Sequence, residues 1–151
     1  MPQKDIKKIQ FHYLVPSFHF PNRTALKKLL LSLFKKEGFT IKAVNYIFCS
    51  DDYLLKINKV HLNHDTYTDI ITFEYSECFE PVFSDIYISV ERVRENSKVY
   101  NVFFTKELSR VILHGALHLC GYKDKSQKQI AEMRSKEELY LSKLFHVKRN
   151  V

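Results

Sequence analysis

Residues 105–121 restrict the fold of this chain more than any other stretch. Thr105 is placed to cap a helix whose Leu108, Val111, Ile112, Leu113, Leu117 and Leu119 leave almost no polar face. Such a helix cannot lie on a surface, so the rest of the chain has to cover it. Set into it are His114 and His118, four residues apart and therefore pointing the same way. Gly121 can end the helix with φ > 0, and a chain folding back from there brings Asp124 within reach. Two imidazoles and a carboxylate, with a position left for water, are a known ligand set for catalytic zinc. Other assignments stay open. His114 and His118 could be hydrogen-bonded core residues. Asp124 could cap the next helix, although Ser126 makes the better cap. His61, His64 or His146 could then stand in as third ligand. Gly115 occupies the position where zinc peptidases carry their glutamate base, and glycine cannot be a base, so the spacing does not imply peptide hydrolysis.

The remaining elements read as cover for that helix. Residues 6–15 alternate apolar and polar side chains as a strand does. Asn22 is a candidate N-cap for a helix over 23–37, with Leu26, Leu29, Leu30, Leu33 and Phe34 at helical spacing and Gly38 as its stop. Strands are expected over 39–49, 69–75 and 82–89. Short helices are expected from Ser50 or Asp51 to about Val60 and over 90–100. His61 and His64 fall in an expected loop. Ser126 and Gln129 form a capping box that opens a last helix to about Phe145, and Val147-Lys148-Arg149 is a basic tail. Four strands interleaved with about five helices predict one α+β domain over residues 1–151, a mixed sheet flanked by helices.

Composition limits the function classes. The 151 residues are 45% hydrophobic, enough for a sizeable core, and only three glycines and four prolines argue against disordered and collagen-like chains. No apolar run is long enough to span a bilayer, and the basic N-terminus lacks the apolar core of a signal peptide. Cys49, Cys78 and Cys120 form no disulfide ladder, so the expected compartment is the reducing cytoplasm. The net charge of +7 favours polyanionic partners, and in the cytoplasm the abundant polyanion is nucleic acid.

Three segments carry a resemblance to a known family. His114-Gly-Ala-Leu-His118-Leu-Cys-Gly121-Tyr122 resembles the His-Gly-x-Leu-His-Leu-x-Gly-Tyr-Asp-His signature of the YbeY family of metal-dependent endoribonucleases. Asn58 to Phe73 resembles that family's middle motif, and Asp85-Ile-Tyr-Ile-Ser89 its Gly-Asp-Ile-x-Ile-Ser strand. The order and separations match, so the resemblance spans essentially the whole chain. It implies an α+β domain with a zincin-like metal helix. It implies one Zn2+ per chain, other divalent ions being alternatives, held by His114, His118 and Asp124. It also implies no small-molecule cofactor, and as partners ribosomal RNA and the small ribosomal subunit, with a role in 3′-end maturation and ribosome quality control.

Three departures from the family pattern stand out. Lys123 replaces an aspartate, Asp124 replaces the third histidine, and Leu62 replaces an arginine. A carboxylate is a good zinc ligand, though it makes bound water less acidic than a third imidazole would. Phosphodiester cleavage builds negative charge that cations relieve, so Lys59, Lys123 and Lys125 are candidate helpers in place of the arginine; no side chain is assigned as catalytic. Asp65, Thr68 and Asp69 fit either turn chemistry or the site, Asp69 as an acceptor behind a ligand histidine. Asp85 reads as a strand-entry residue and Cys120 as core filler. Tyr67, Tyr75 and Tyr122 are available to stack on single-stranded RNA. The rival readings are a non-catalytic, zinc-containing ribosome-assembly factor and, more distantly, a zinc peptidase-like hydrolase.

Overall fold

A computed structural model describes residues 3–16, 18, 20–62 and 67–145. The expectations for His64, Asp65, His146 and the 147–149 tail lie outside the described residues. The elements run α1 (Gln3–Ile6), β1 (Ile9–Tyr13), α2 (Arg23–Lys36), β2 (Ile41–Cys49), α3 (Asp51–Leu62), β3 (Ile70–Glu74), β4 (Val82–Ser89), α4 (Val90–Val99), α5 (Phe104–Leu119) and α6 (Gln127–Leu144).

The strands form one sheet in the order β1-β2-β4-β3. β1, β2 and β4 are parallel, and β3 runs antiparallel at one edge. Side chains alternate across such a sheet. Val44, Tyr46 and Phe48 of β2 and Ser84, Ile86 and Ile88 of β4 are buried on the face that carries α5. Asp85 and Tyr87 point to the opposite face. There α3 closes a small second cluster of Cys49, Leu54 and Ile71.

Helix α5 is buried as its composition requires, with α4 and α6 packed beside it and the sheet beneath. Two contacts fix its height and rotation. The Tyr46 hydroxyl donates to the Ile112 carbonyl across 2.9 Å. A Cβ on Gly115 would lie 2.9 Å from Ile70 Cδ1 and 3.3 Å from Ile86 Cδ1. Glycine is thus at position 115 because helix and sheet touch there.

Several boundaries differ from the sequence expectations. The strand expected over 6–15 is shorter, because residues 3–6 form a helical turn closed by the Lys8 N–H donating to the Asp5 carbonyl at 3.1 Å. Asn22 sits at the N-cap of α2 in the left-handed region (φ 64°), a conformation asparagine tolerates, and its side chain makes no capping bond. Thr105 is not the cap of α5. The cap position falls two residues earlier, at Phe103, and the Thr105 carbonyl accepts from the Ser109 hydroxyl. His61 lies in the last turn of α3 rather than in a loop, its ring edge-on to Phe73. The Ser126–Gln129 capping box is present as expected.

Candidate metal centre

The site is built by the C-terminus of α5. Its last turn closes with a Gly121 backbone at φ 96°, the Gly121 N–H bonding to the His118 carbonyl (2.9 Å) and the Tyr122 N–H to the Leu117 carbonyl (3.1 Å). This is the two-bond glycine cap that satisfies the orphan carbonyls of a helix end. It reverses the chain, so that the Tyr122 carbonyl comes to lie 2.9 Å from His118 Nδ1 and Asp124 returns over the helix. Asp124 Oδ2 then stands 3.3 Å from His114 Nε2 and 3.4 Å from His118 Nε2. Ser126 takes the capping role, which leaves the Asp124 carboxylate free for the imidazoles.

Hydrogen-bond bookkeeping fixes what these atoms offer. His118 Nδ1 faces a carbonyl and His114 Nδ1 faces the Glu137 carboxylate at 2.6 Å. Both partners only accept, so both Nδ1 atoms carry the hydrogen. With both rings neutral, the two Nε2 atoms are then lone pairs, aimed at a carboxylate oxygen that is also an acceptor. Three acceptors within 4.8 Å of one another repel unless a cation lies among them. Tetrahedral zinc with bonds of about 2.0–2.2 Å sets its ligand atoms about 3.3–3.6 Å apart. The observed His–Asp separations of 3.3 and 3.4 Å fall in that window. A His-His-Asp group of this chemistry and spacing could bind a metal ion. Asp124 is 42% exposed, so one side of the group is open to a substrate.

Behind His114 lies a buried ionic network. Glu137, on α6, accepts from His114 through Oε2 and from Arg110 Nη1 (3.0 Å) through Oε1, with Arg134 Nη1 at 3.4 Å. Arg110 in turn donates to both carboxylate oxygens of Glu107, at 2.9 and 2.7 Å. Burial alone would push the Glu137 carboxyl up, but the His114 hydrogen bond and the Arg110 charge outweigh it and hold it below the usual range. Burial raises the Asp69 carboxyl, against the attraction of Arg110 and His114. Beside the turn, Glu37 accepts from the Tyr122 and Tyr140 hydroxyls (2.8 and 2.9 Å) and from Lys136 Nζ at 3.4 Å, tying the end of α2 to the turn and to α6.

The other sequence candidates are distributed around this centre. Among the described residues the grouping that could hold an ion is His114, His118 and Asp124, and neither His61 nor Cys120 joins it. The acceptor behind His114 is Glu137, not Asp69. Asp85 accepts from Asn45 (3.1 Å) and Tyr75 (3.0 Å), on the sheet face away from α5. The Thr68 hydroxyl donates to the Ile70 carbonyl at 3.4 Å, turn chemistry at the start of β3. Tyr67 lies beneath the Arg92 guanidinium, 5.2 Å away. Lys59, Lys123 and Lys125 are exposed, Lys123 along a groove with Tyr122, Gln129 and Glu132. Sequence reading missed Glu137. Its signal was a position one helical turn from Met133, Tyr140 and Leu141, all buried.

Fold and site together define a class: a one-sheet α+β protein whose central buried helix presents a group able to bind a divalent ion. A family model described as Endoribonuclease YbeY matches residues 17–145. The Endoribonuclease YbeY of Flavobacterium psychrophilum is 49% identical over 142 residues, covering 94% of this chain and 99% of the relative. The Cytophaga hutchinsonii protein of the same name is 46% identical over 125 residues, covering 83% and 87%. A solution structure of a Thermotoga maritima protein superposes with a TM-score of 0.63 at 30% identity, covering 90% of this chain and 89% of that one. The chain belongs to the YbeY endoribonuclease family.

Proposed function

We propose that this protein is a metal-dependent endoribonuclease that cleaves single-stranded ribosomal RNA in the cytoplasm, in maturation of the small-subunit 3′ end and in ribosome quality control. Its ion is zinc, one per chain, held by His114, His118 and Asp124. One observation carries the reading: two imidazole nitrogens of one helix each stand at a zinc-ligand separation from the Asp124 carboxylate, in a chain whose relatives are named endoribonucleases. A divalent ion held there would supply Lewis-acid polarisation of a phosphoryl oxygen and would lower the pKa of water enough to make hydroxide available as the nucleophile. The chain's own residues hold and orient. The Tyr122 carbonyl and the Glu137 carboxylate keep each Nδ1 protonated, so that each Nε2 faces the open side. Exposed Lys123 and Lys125 flank Asp124 in sequence and offer positive charge to the phosphate backbone.

A second reading rests on a specific departure. Leu62, which stands where the family has an arginine, is an exposed apolar residue at the end of α3. A chain lacking that cation could assemble ribosomes through RNA binding while using its metal structurally. Peptide hydrolysis is disfavoured by Gly115, which stands where zinc peptidases carry their glutamate base and cannot itself be a base. The deciding experiment compares cleavage of a single-stranded ribosomal RNA fragment by zinc-loaded protein, chelator-treated protein and His114→Ala, with RNA binding measured in parallel. Cleavage by the zinc-loaded protein alone, with His114→Ala still binding RNA, supports the nuclease. Cleavage that survives in His114→Ala, or never exceeds the blank, overturns it.

A further inference from the structure

The two imidazoles of the site are not held alike. His118 donates to a neutral carbonyl supplied by its own helix cap, Tyr122 O at 2.9 Å. His114 donates to a carboxylate from a different helix, Glu137 Oε2, at 2.6 Å. That carboxylate occupies a core position of α6. Its side chain is 2% exposed and shares a helix face with buried Met133, Tyr140 and Leu141. A leucine at such a position packs without desolvating a charge, and buried ion pairs are commonly no more stabilising than the apolar residues that could replace them. Packing therefore does not account for a glutamate at position 137.

Its bonding pattern does. The two oxygens divide their tasks: Oε2 meets His114, and Oε1 meets Arg110 Nη1 at 3.0 Å with Arg134 Nη1 at 3.4 Å. Arg110 and His114 are four residues apart on α5 and so present one face to α6. Arg110 is itself braced by two bonds to Glu107, whose side chain is 3% exposed. The carboxylate behind His114 is thus held on the side away from the ring by a guanidinium that has its own anchor.

We propose that Glu137 is a positioning residue for the metal centre. It fixes His114 as the Nδ1–H tautomer, aims the Nε2 lone pair at the point shared with His118 and Asp124, and strengthens that lone pair with its negative charge, while Arg110 braced by Glu107 fixes the carboxylate. The inference rests on the assignment of His114, His118 and Asp124 as metal ligands. A ligand histidine whose second nitrogen faces a carboxylate is a better donor than one facing a neutral acceptor, and loss of such a partner weakens metal binding about 10–100-fold. His114 is accordingly the stronger of the two imidazole ligands.

Two measurements test this, and neither depends on catalysis. The first is the nitrogen chemical-shift pattern of the histidine rings in metal-free protein at about pH 8.5, well above the ordinary histidine pKa of about 6.5. His114 in the wild type is expected in the Nδ1–H form, and Glu137→Gln, which keeps size and an acceptor oxygen but not the charge, is expected to mix the tautomers. The second is zinc affinity by chelator competition. Glu137→Gln is expected to bind about 10–100-fold more weakly than wild type, and Glu132→Gln, on the exposed side of α6, to bind as wild type does. Wild-type His114 in the Nε2–H form overturns the inference, even if Glu137→Gln fails to fold. So does Glu137→Gln binding zinc within about twofold of wild type. Wild type that takes up no zinc removes the metal assignment itself, a result distinct from these.

Discussion

Replacing Arg110 by methionine is the sharpest test of the buried network, because its cost follows from three distances. Arg110 is 14% exposed and reaches Glu107 at 2.9 and 2.7 Å and Glu137 at 3.0 Å. Methionine fills similar space and donates nothing. Glu137 keeps His114 and the longer Arg134 contact, but Glu107, 3% exposed, loses the donors to both of its oxygens. Stranding one partner of a buried ion pair costs about 3–5 kcal/mol. In chains of this length about 1 kcal/mol moves the melting temperature by about 2–4 °C, so Arg110→Met is expected to melt about 6–20 °C lower. The assay is thermal and urea unfolding with chelator present, so that metal binding adds nothing to the difference. Adding Glu107→Leu removes the stranded carboxylate, and the double variant is expected to recover at least about half of the loss. A single variant that loses less than about 1 kcal/mol, or a double variant no better than the single, would refute the argument that these charges are desolvated and mutually dependent.

Three further outcomes are expected. Free zinc at about 100 times its dissociation constant stabilises the folded state by about 2.7 kcal/mol, which raises the melting temperature by about 5–11 °C. Scanning calorimetry should find that rise in wild type and not in His118→Ala. Glu37→Gln is expected to lose about 1–3 kcal/mol at neutral pH by weakening the bonds from Tyr122, Tyr140 and Lys136. Burial raises the Glu37 carboxyl, but those partners outweigh it and hold it below its ordinary value. Its contribution is therefore complete above the unfolded pKa of about 4.3 and lost as pH falls through the lower folded value, and urea unfolding should show the wild-type advantage shrinking over that range. Among the three thiols, Cys78 is exposed and Cys49 is buried. Burial, with the nearby Asp51 charge, pushes the Cys49 thiol up to about 12, and burial with the charges of Glu37 and Glu74 does the same for Cys120. A chromogenic disulfide reagent near pH 8 should count one fast thiol in native protein, and Cys78→Ser should abolish that phase.

The grouping of His114, His118 and Asp124 is legible in the sequence because each step toward it is local. A four-residue spacing, a glycine stop and a short return are backbone geometry, and the structure brings the three side chains together accordingly. The limits of β4 and the cap of α6 are local in the same way. What escapes a linear reading is whatever depends on a distant partner. Glu137 lies in a Lys-Glu-Glu run that looks like a solvated helix face, and only the packing of α6 against α5 turns it toward His114. The sequence offers Asp69 for that role, but the acceptor comes from across the helix pair. Thr105 had the chemistry of a cap, yet α5 begins behind Phe103 without one, since burial of its apolar sides holds it in place. The strand order β1-β2-β4-β3 rests on pairings between distant segments, which no periodicity encodes.

The close seat of α5 on the sheet at Gly115, with the Tyr46 hydroxyl on Ile112, has a bearing on how this architecture tolerates change. One residue deleted between Leu108 and Leu113 would swing both imidazoles, and with them the cap and Asp124 that follow, by about 100° around the helix axis relative to the sheet, away from Glu137. The close glycine seat and the hydroxyl bond would be lost in the same stroke. A side-chain replacement on this helix leaves the remaining contacts in register, whereas a change of length shifts them all at once. Insertions and deletions should therefore be confined to the connections, such as the one between β3 and β4, where the chain can lengthen without turning the site.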